Sequence, residues 1–211
     1  MLEIEYKGGN TVIIATKKAT IVTDPRQSLI GLKDASTKDS IEIATEARFA
    51  LISSDARLNL EGPGEYGVAN FDIKGIAAQR HLDSEADPKT ATIYRIETQE
   101  IRIGLIGNIY EKLNETQLEE LGIIDILILP VGGNGYTLDA TGAATLVRSI
   151  EPKVVIPIHY DEPGLKYEVN QDPLEVFIRE LGAPVEEASK YKLKQASGLP
   201  AALTVINVTR A

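Results

Sequence analysis

The chain of 211 residues has no cysteine, no tryptophan, one methionine, three phenylalanines and only two histidines. Each scarcity closes a class of chemistry. Without cysteine there is no disulfide, no thiolate metal ligand and no thiol nucleophile, which is the usage expected of a cytoplasmic protein. No uninterrupted apolar run approaches the roughly 18 residues of a helical membrane span, so none is expected. The opening residues, Met1-Leu2-Glu3-Ile4-Glu5-Tyr6, alternate acidic and apolar, unlike the basic-then-apolar start of a secretory signal. Basic residues are also short: 22 Lys and Arg against 31 Asp and Glu leave a net charge of −9. Affinity for polyanions comes mainly from Lys and Arg, so nucleic acid and anionic membranes are not expected partners. A small-molecule ligand, even an anionic one, depends on a local site and stays compatible. There is no Gly-x-Ser-x-Gly elbow for a serine nucleophile and no Walker-type Lys for a nucleotide loop.

What is present organises into short strands first and strand–helix alternation later. Leu2–Tyr6, Thr11–Ala15 and Ala19–Val22 are rich in Ile, Val and Thr and read as strands, with Asp24-Pro25 ending the third. Ser40–Ala44, Phe49–Ser53 and Phe71–Ala77 add further apolar pieces, while Gly62-Pro63-Gly64-Glu65-Tyr66 reads as a turn. His81 to Lys89 is polar and reads as a surface loop. Ala91–Glu97 and Ile101–Ile106 predict a hairpin around Thr98-Gln99-Glu100. Asn114 with Gln117 three residues on is a capping-box signature ahead of Leu118 and Leu121, and Gly122 ends that helix. Ile123–Val131 is nearly all apolar, as in a strand covered on both faces. Helices are expected over about Asp139–Ser149 and Asp172–Leu181, with Val154–Ile158, Lys190–Gln195 and Ala202–Val208 as strands. Such an order predicts one α/β domain over residues 1–211, two mixed β-sheets with helices outside.

Several segments carry a resemblance to a known family. Leu127-Ile128-Leu129-Pro130-Val131-Gly132-Gly133 and Pro152 to Tyr160, together with Thr23-Asp24-Pro25, Gly62 to Tyr66, Ile73 to Ile76 and Leu105-Ile106-Gly107-Asn108, occur in an order that resembles the metallo-β-lactamase superfamily. Within it they are most similar to the small hydrolases grouped with ascorbate-phosphate lactonase. The resemblance implies an αββα sandwich and a metal-dependent hydrolase. It also exposes departures. Gly9 stands where relatives carry a His, and Asn108 where they carry a bridging Asp. Family enzymes carry His-x-His-x-Asp-His after a strand in the region of residues 26–60, and this chain has no His there. Either Ile41 to Arg48 or Ser53 to Arg57 stands in its place.

That motif matters because zinc takes about four nitrogen, oxygen or sulfur ligands and then lowers the pKa of bound water to about 7. Two imidazoles, His81 in a polar segment and His159 at a strand end, are the tentative metal ligands that remain. An amide at Asn108 is a poor bridge between two zinc ions. Asp24, Glu65, Asn108, Gly133, Asn134, Asp139 and Tyr160 are the other candidates for a binding cleft. Glycines between strand and helix can turn N–H groups toward an anion, although a plain turn needs no ligand. Asp24 and Asp139 are equally well placed as turn and cap residues.

The expectation is therefore a degenerate metal site and a non-catalytic ligand-binding or interaction module. The competing expectation is a lactonase- or phosphoester-type hydrolase using a reduced site around His81, Asn108 and His159. No cofactor is assigned from the sequence, and one divalent metal, zinc, manganese or iron, stays compatible with it. A homo-oligomer is compatible with the sequence.

Overall fold

A computed structural model describes residues 1–81 and 90–211, so most of the loop expected over His81–Lys89 lies outside the described residues. Six strands form the first sheet: β1 (Leu2–Gly8), β2 (Thr11–Ala15), β3 (Thr20–Thr23), β4 (Ile41–Ile43), β5 (Leu58–Leu60) and, far along the chain, β13 (Tyr191–Leu193). Their order is β13-β1-β2-β3-β4-β5. β1, β2, β3 and β13 pair antiparallel, whereas β3, β4 and β5 run parallel.

The second sheet holds β6 (Gly64–Val68), β7 (Phe71–Gln79), β8 (Thr90–Thr98), β9 (Ile101–Leu105), β10 (Ile126–Pro130), β11 (Val154–Ile158), β12 (Val185–Ala188) and β14 (Thr204–Val208). The order is β12-β14-β11-β10-β9-β8-β7-β6, parallel from β12 to β9 and antiparallel from there. Among the described residues there are three α-helices, α1 (Glu115–Leu121), α2 (Ala140–Ile150) and α3 (Leu174–Leu181). α1 packs on β7, and α2 packs on β10 and on α3. This is the expected α/β architecture of two mixed sheets with helices.

Local chemistry explains the elements. Asn114 caps α1 through a reciprocal box with Gln117, and the Asp139 carboxylate caps α2 by accepting from the Gly142 N–H. Every residue of β10 and of β11 is buried, as their continuous apolar composition requires. In β1 the pattern alternates instead: Leu2, Ile4 and Tyr6 are buried in the core, while Glu3, Glu5 and Lys7 form a polar ladder with Lys190 and Lys192. One continuous cluster of buried apolar side chains draws on both sheets.

Three expectations about elements need correction. Gly62 to Tyr66 is not a turn throughout, because Gly64–Val68 forms the edge strand β6 paired with β7. Phe49–Ser53 is not a strand. The N–H groups of Leu51, Ile52 and Ser53 donate to the Glu42 carboxylate, which takes the place of a neighbouring strand. Val185–Ala188, unforeseen in the sequence, is the edge strand β12.

Candidate functional site

The ends of β3, β4, β9 and β11 converge with the turn after β1 at one place between the sheets. β11 ends at Ile158, and His159 follows in a left-handed conformation with φ 51°. That turn sends its imidazole into the fold, where only 2% of the residue is exposed. Its N–H reaches the Gly9 carbonyl at 3.1 Å. The ring lies between two tyrosines, Tyr167 at 4.6 Å and Tyr136 at 5.6 Å between centroids. Burial, with a smaller contribution from the Arg48 guanidinium, pushes the His159 pKa down to about 3, so the ring is neutral at physiological pH.

From His159 a chain of polar side chains crosses the cleft. His159 Nδ1 is 2.9 Å from Asn10 Oδ1, Asn10 Nδ2 donates to Asn108 Oδ1 at 3.4 Å, and Asn108 Nδ2 donates to Glu46 Oε1 at 3.1 Å. Glu46 Oε2 then sits 3.0 Å from Arg48 Nε and 3.0 Å from Arg80 Nε. The Arg48 contact is an ion pair by distance, without the alignment of a hydrogen bond. Arg48 extends over the rings of Phe49 and Tyr136 and reaches Glu168 at 3.3 Å. Burial raises the Glu46 pKa, and the two guanidiniums oppose that rise.

Asp24, buried at the end of β3, spends both carboxyl oxygens on Thr45: one accepts its N–H at 2.6 Å and the other its hydroxyl at 2.6 Å. Burial pushes the Asp24 pKa up to about 8, against the pull of those two bonds. The bonds fix the loop that follows β4 and point Glu46 and Arg48 into the cleft. A small cavity opens beside them, with about 20 Å³ of free space for the centre of a water molecule. Asn10, Asp24, Arg26, Tyr136, His159 and Tyr167 contribute to its wall.

Of the residues expected from the sequence, Asp24, Asn108 and His159 come together here. His81 lies beyond Asn108, its N–H donating to the Asn108 carbonyl at 2.9 Å, and its buried Nδ1 has no partner among the described residues. Tyr160 packs against Tyr6 as a tilted pair with ring centroids 5.9 Å apart. Asp139 is spent on the α2 cap. Gly133 and Asn134 form the turn after β10, where Asn134 bonds the Gly132 carbonyl and Asp172. Glu65 stands apart on the edge strand β6, largely exposed and paired with Lys74 at 3.7 Å. Tyr167 escaped the sequence reading, and so did the roles of Asn10, Glu46, Arg48 and Arg80. The one available signal was Glu46-Ala47-Arg48 directly after an apolar strand.

A family model described as a beta-lactamase superfamily domain matches residues 3–159. The chain belongs to the metallo-β-lactamase superfamily. It is 31% identical over 137 residues to a UPF0173 metal-dependent hydrolase of Thermococcus onnurineus, covering 58% of this chain and 61% of that protein. A second UPF0173 metal-dependent hydrolase, from Thermoplasma acidophilum, is 43% identical over 47 residues, 21% of this chain and 20% of its own. The chain thus matches at most about three fifths of these curated relatives. Among solved structures, a candidate Zn-dependent hydrolase of the superfamily from Thermotoga maritima superposes with a TM-score of 0.77 at 23% identity, covering 99% of this chain and 100% of that one. The metallo hydrolase Igni18 of Ignicoccus hospitalis gives 0.65 at 17% identity, covering 99% and 96%. At such identities these neighbours speak to fold.

The superfamily carries its His-x-His-x-Asp-His motif after a strand. In this chain β4 is followed by Ala44-Thr45-Glu46-Ala47-Arg48, within one of the two segments weighed from the sequence. Gly9 is in a left-handed conformation, and a side chain there would meet Ile30 Cδ1 at 2.7 Å. Among the described residues no three His, Cys, Asp or Glu side chains group as a metal would need.

Proposed function

We propose that this chain is a superfamily member whose metal centre has been replaced by an internal ion-pair lattice, leaving a ligand-binding module without hydrolytic chemistry. The observation that carries the reading is the bonding of Glu46, which holds two guanidiniums and an amide in a segment that, by the resemblance, stands in for the family's metal-binding motif. A divalent cation does not fit this donor set. Both Asp24 oxygens are taken by Thr45, the Glu46 oxygens by Arg48, Arg80 and Asn108, and the Asn108 oxygen by Asn10. Of the sequence-expected ligands only His159 Nε2 and His81 Nδ1 stay open among the described residues, where zinc takes about four donors. Arg48 and Arg80 also bring positive charge, which repels a cation.

The cleft around His159 is the ligand site in this reading, and the ligand is a small molecule. The sequence likeness to the lactonase-grouped hydrolases describes ancestry here. The competing reading, a hydrolase with a reduced site around His81, Asn108 and His159, draws on the open His159 Nε2 and on the relatives' description as metal-dependent hydrolases. Assays with lactone and phosphodiester substrates, each with and without added zinc, manganese or iron, separate the two. The proposal expects no turnover in any of them. Metal-dependent turnover that His159→Ala abolishes would establish the hydrolase.

A further inference from the structure

The connection from β11 to α3 runs across the cleft that holds His159. Its ends meet, with the Asp161 N–H donating to the Asp172 carbonyl at 3.0 Å, so Asp161–Asp172 is an Ω-loop. The base of this loop is firmly held. The Asp172 N–H reaches the Gly132 carbonyl at 2.7 Å, Gln171 is buried, and Glu162 accepts from the Tyr6 hydroxyl at 2.7 Å.

Between those posts the strap of residues 164–170 is held loosely. None of its residues is buried. The Lys166 N–H donates to the Ile30 carbonyl at 3.0 Å on the far side of the cleft. Glu168 pairs with Arg48 at 3.3 Å, but its side chain is 57% exposed, where an ion pair stabilises little. An open hollow of about 520 Å³ is lined, among the described residues, by this loop alone, so the strap arches over space. At its start Gly164 has φ 84° and free room around it, which suits a pivot. What the strap covers is the site itself: the Tyr167 ring lies 4.6 Å from the His159 ring. With the strap down, the free space beside His159 is about 20 Å³, enough for about one water.

We propose that residues 164–170 are a lid, that Tyr167 is its plug on His159, and that the cleft admits a ligand only when the lid lifts. Lifting breaks the Lys166 bond, the Glu168 ion pair and one ring contact, and leaves both sheets and the base of the loop in place. The lid presupposes that this cleft is the ligand site, as proposed above, and does not depend on whether a metal lies in it.

Two measurements test this, both in EDTA and without any ligand. In the parent protein the Lys166 amide should exchange with solvent about a hundredfold or more faster than the amides of β10 and β11, after correction for intrinsic rates. The second locks the lid. The chain has no cysteine, and a Cβ at Gly31 would lie 3.5 Å from the Lys166 Cβ, a separation that a disulfide spans. Gly31→Cys with Lys166→Cys is compared oxidised and reduced, so any strain from the left-handed Gly31 is common to both. Diethyl pyrocarbonate, which acylates a neutral imidazole nitrogen, should label His159 about tenfold or more faster in the reduced form, read by peptide mass spectrometry. If that pair does not fold, exchange in the parent decides alone. Equal labelling of the two forms, or Lys166 exchange no faster than that of the core strands, would overturn the lid and leave the proposed function standing. Metal-dependent turnover would overturn that function and leave the lid untouched.

Discussion

Asp24 and Thr45 are joined by two hydrogen bonds of 2.6 Å, one to the backbone and one to the hydroxyl, across the ends of two parallel strands. This double bond to a single residue sets the trajectory of the loop after β4, and with it the placement of Glu46 and Arg48. Replacing Asp24 by Ala leaves a buried N–H and a buried hydroxyl unpaired, a loss of about 2–4 kcal/mol in urea unfolding. The same titration on Thr45→Val, which removes one of the two bonds, should show a smaller loss.

Asp24 also imposes a pH dependence whose sign follows from its raised pKa. Below the ordinary value of 3.8 both folded and unfolded chains carry the proton. Between 3.8 and about 8 the unfolded chain releases it and the folded chain keeps it, so this contribution to stability declines as pH rises, then levels off. Asp24→Asn removes the titration. Its unfolding free energy, measured across that window, should show a flatter slope than the parent protein.

His159 acts on the acid side. Above 6.5 the ring is neutral in both states. From 6.5 down to about 3 the unfolded chain takes up a proton that the folded chain refuses, so stability falls with falling pH. His159→Gln should flatten this acid limb, and a direct ¹⁵N titration of His159 should show no protonation near pH 6.

Glu46 is the hub on which two cations depend. Glu46→Ala removes the buried carboxylate that Arg48 and Arg80 share and should cost about 3–5 kcal/mol, whereas Glu46→Gln keeps the shape and loses the charge. If the lattice replaces a metal, the deficit of Glu46→Ala is not recovered by adding zinc, manganese or iron. Melting curves in each metal check this.

The framework was legible because it obeys local rules. Ile126–Pro130 and Val154–Ile158 announce buried strands by unbroken apolar composition, and Asn114 with Gln117 announces a helix start through a reciprocal bond that is present. Elements failed where the deciding partner was distant. Phe49–Ser53 looks like a strand, yet its N–H groups go to the Glu42 side chain, and the glycines of Gly62–Gly64 hid a strand that starts within them. The site was half visible. His159 and Asn108 stood out as a remnant and a departure from the family pattern, and Asp24 through its Asp-Pro. Glu46 and Arg48 did not, because a charged pair in sequence reads as surface until Arg80, thirty-odd residues on, is seen to close on the same carboxylate.

The displacement of metal from the cleft by guanidinium charge is tested most directly by elemental analysis. Protein produced in zinc-, manganese- and iron-supplemented medium and purified without chelator should contain none of these metals above trace, and its melting temperature should not rise when they are added. One equivalent of any of them, retained through gel filtration and lost in His159→Ala, would contradict it, because a ligand that binds only the native state must raise stability.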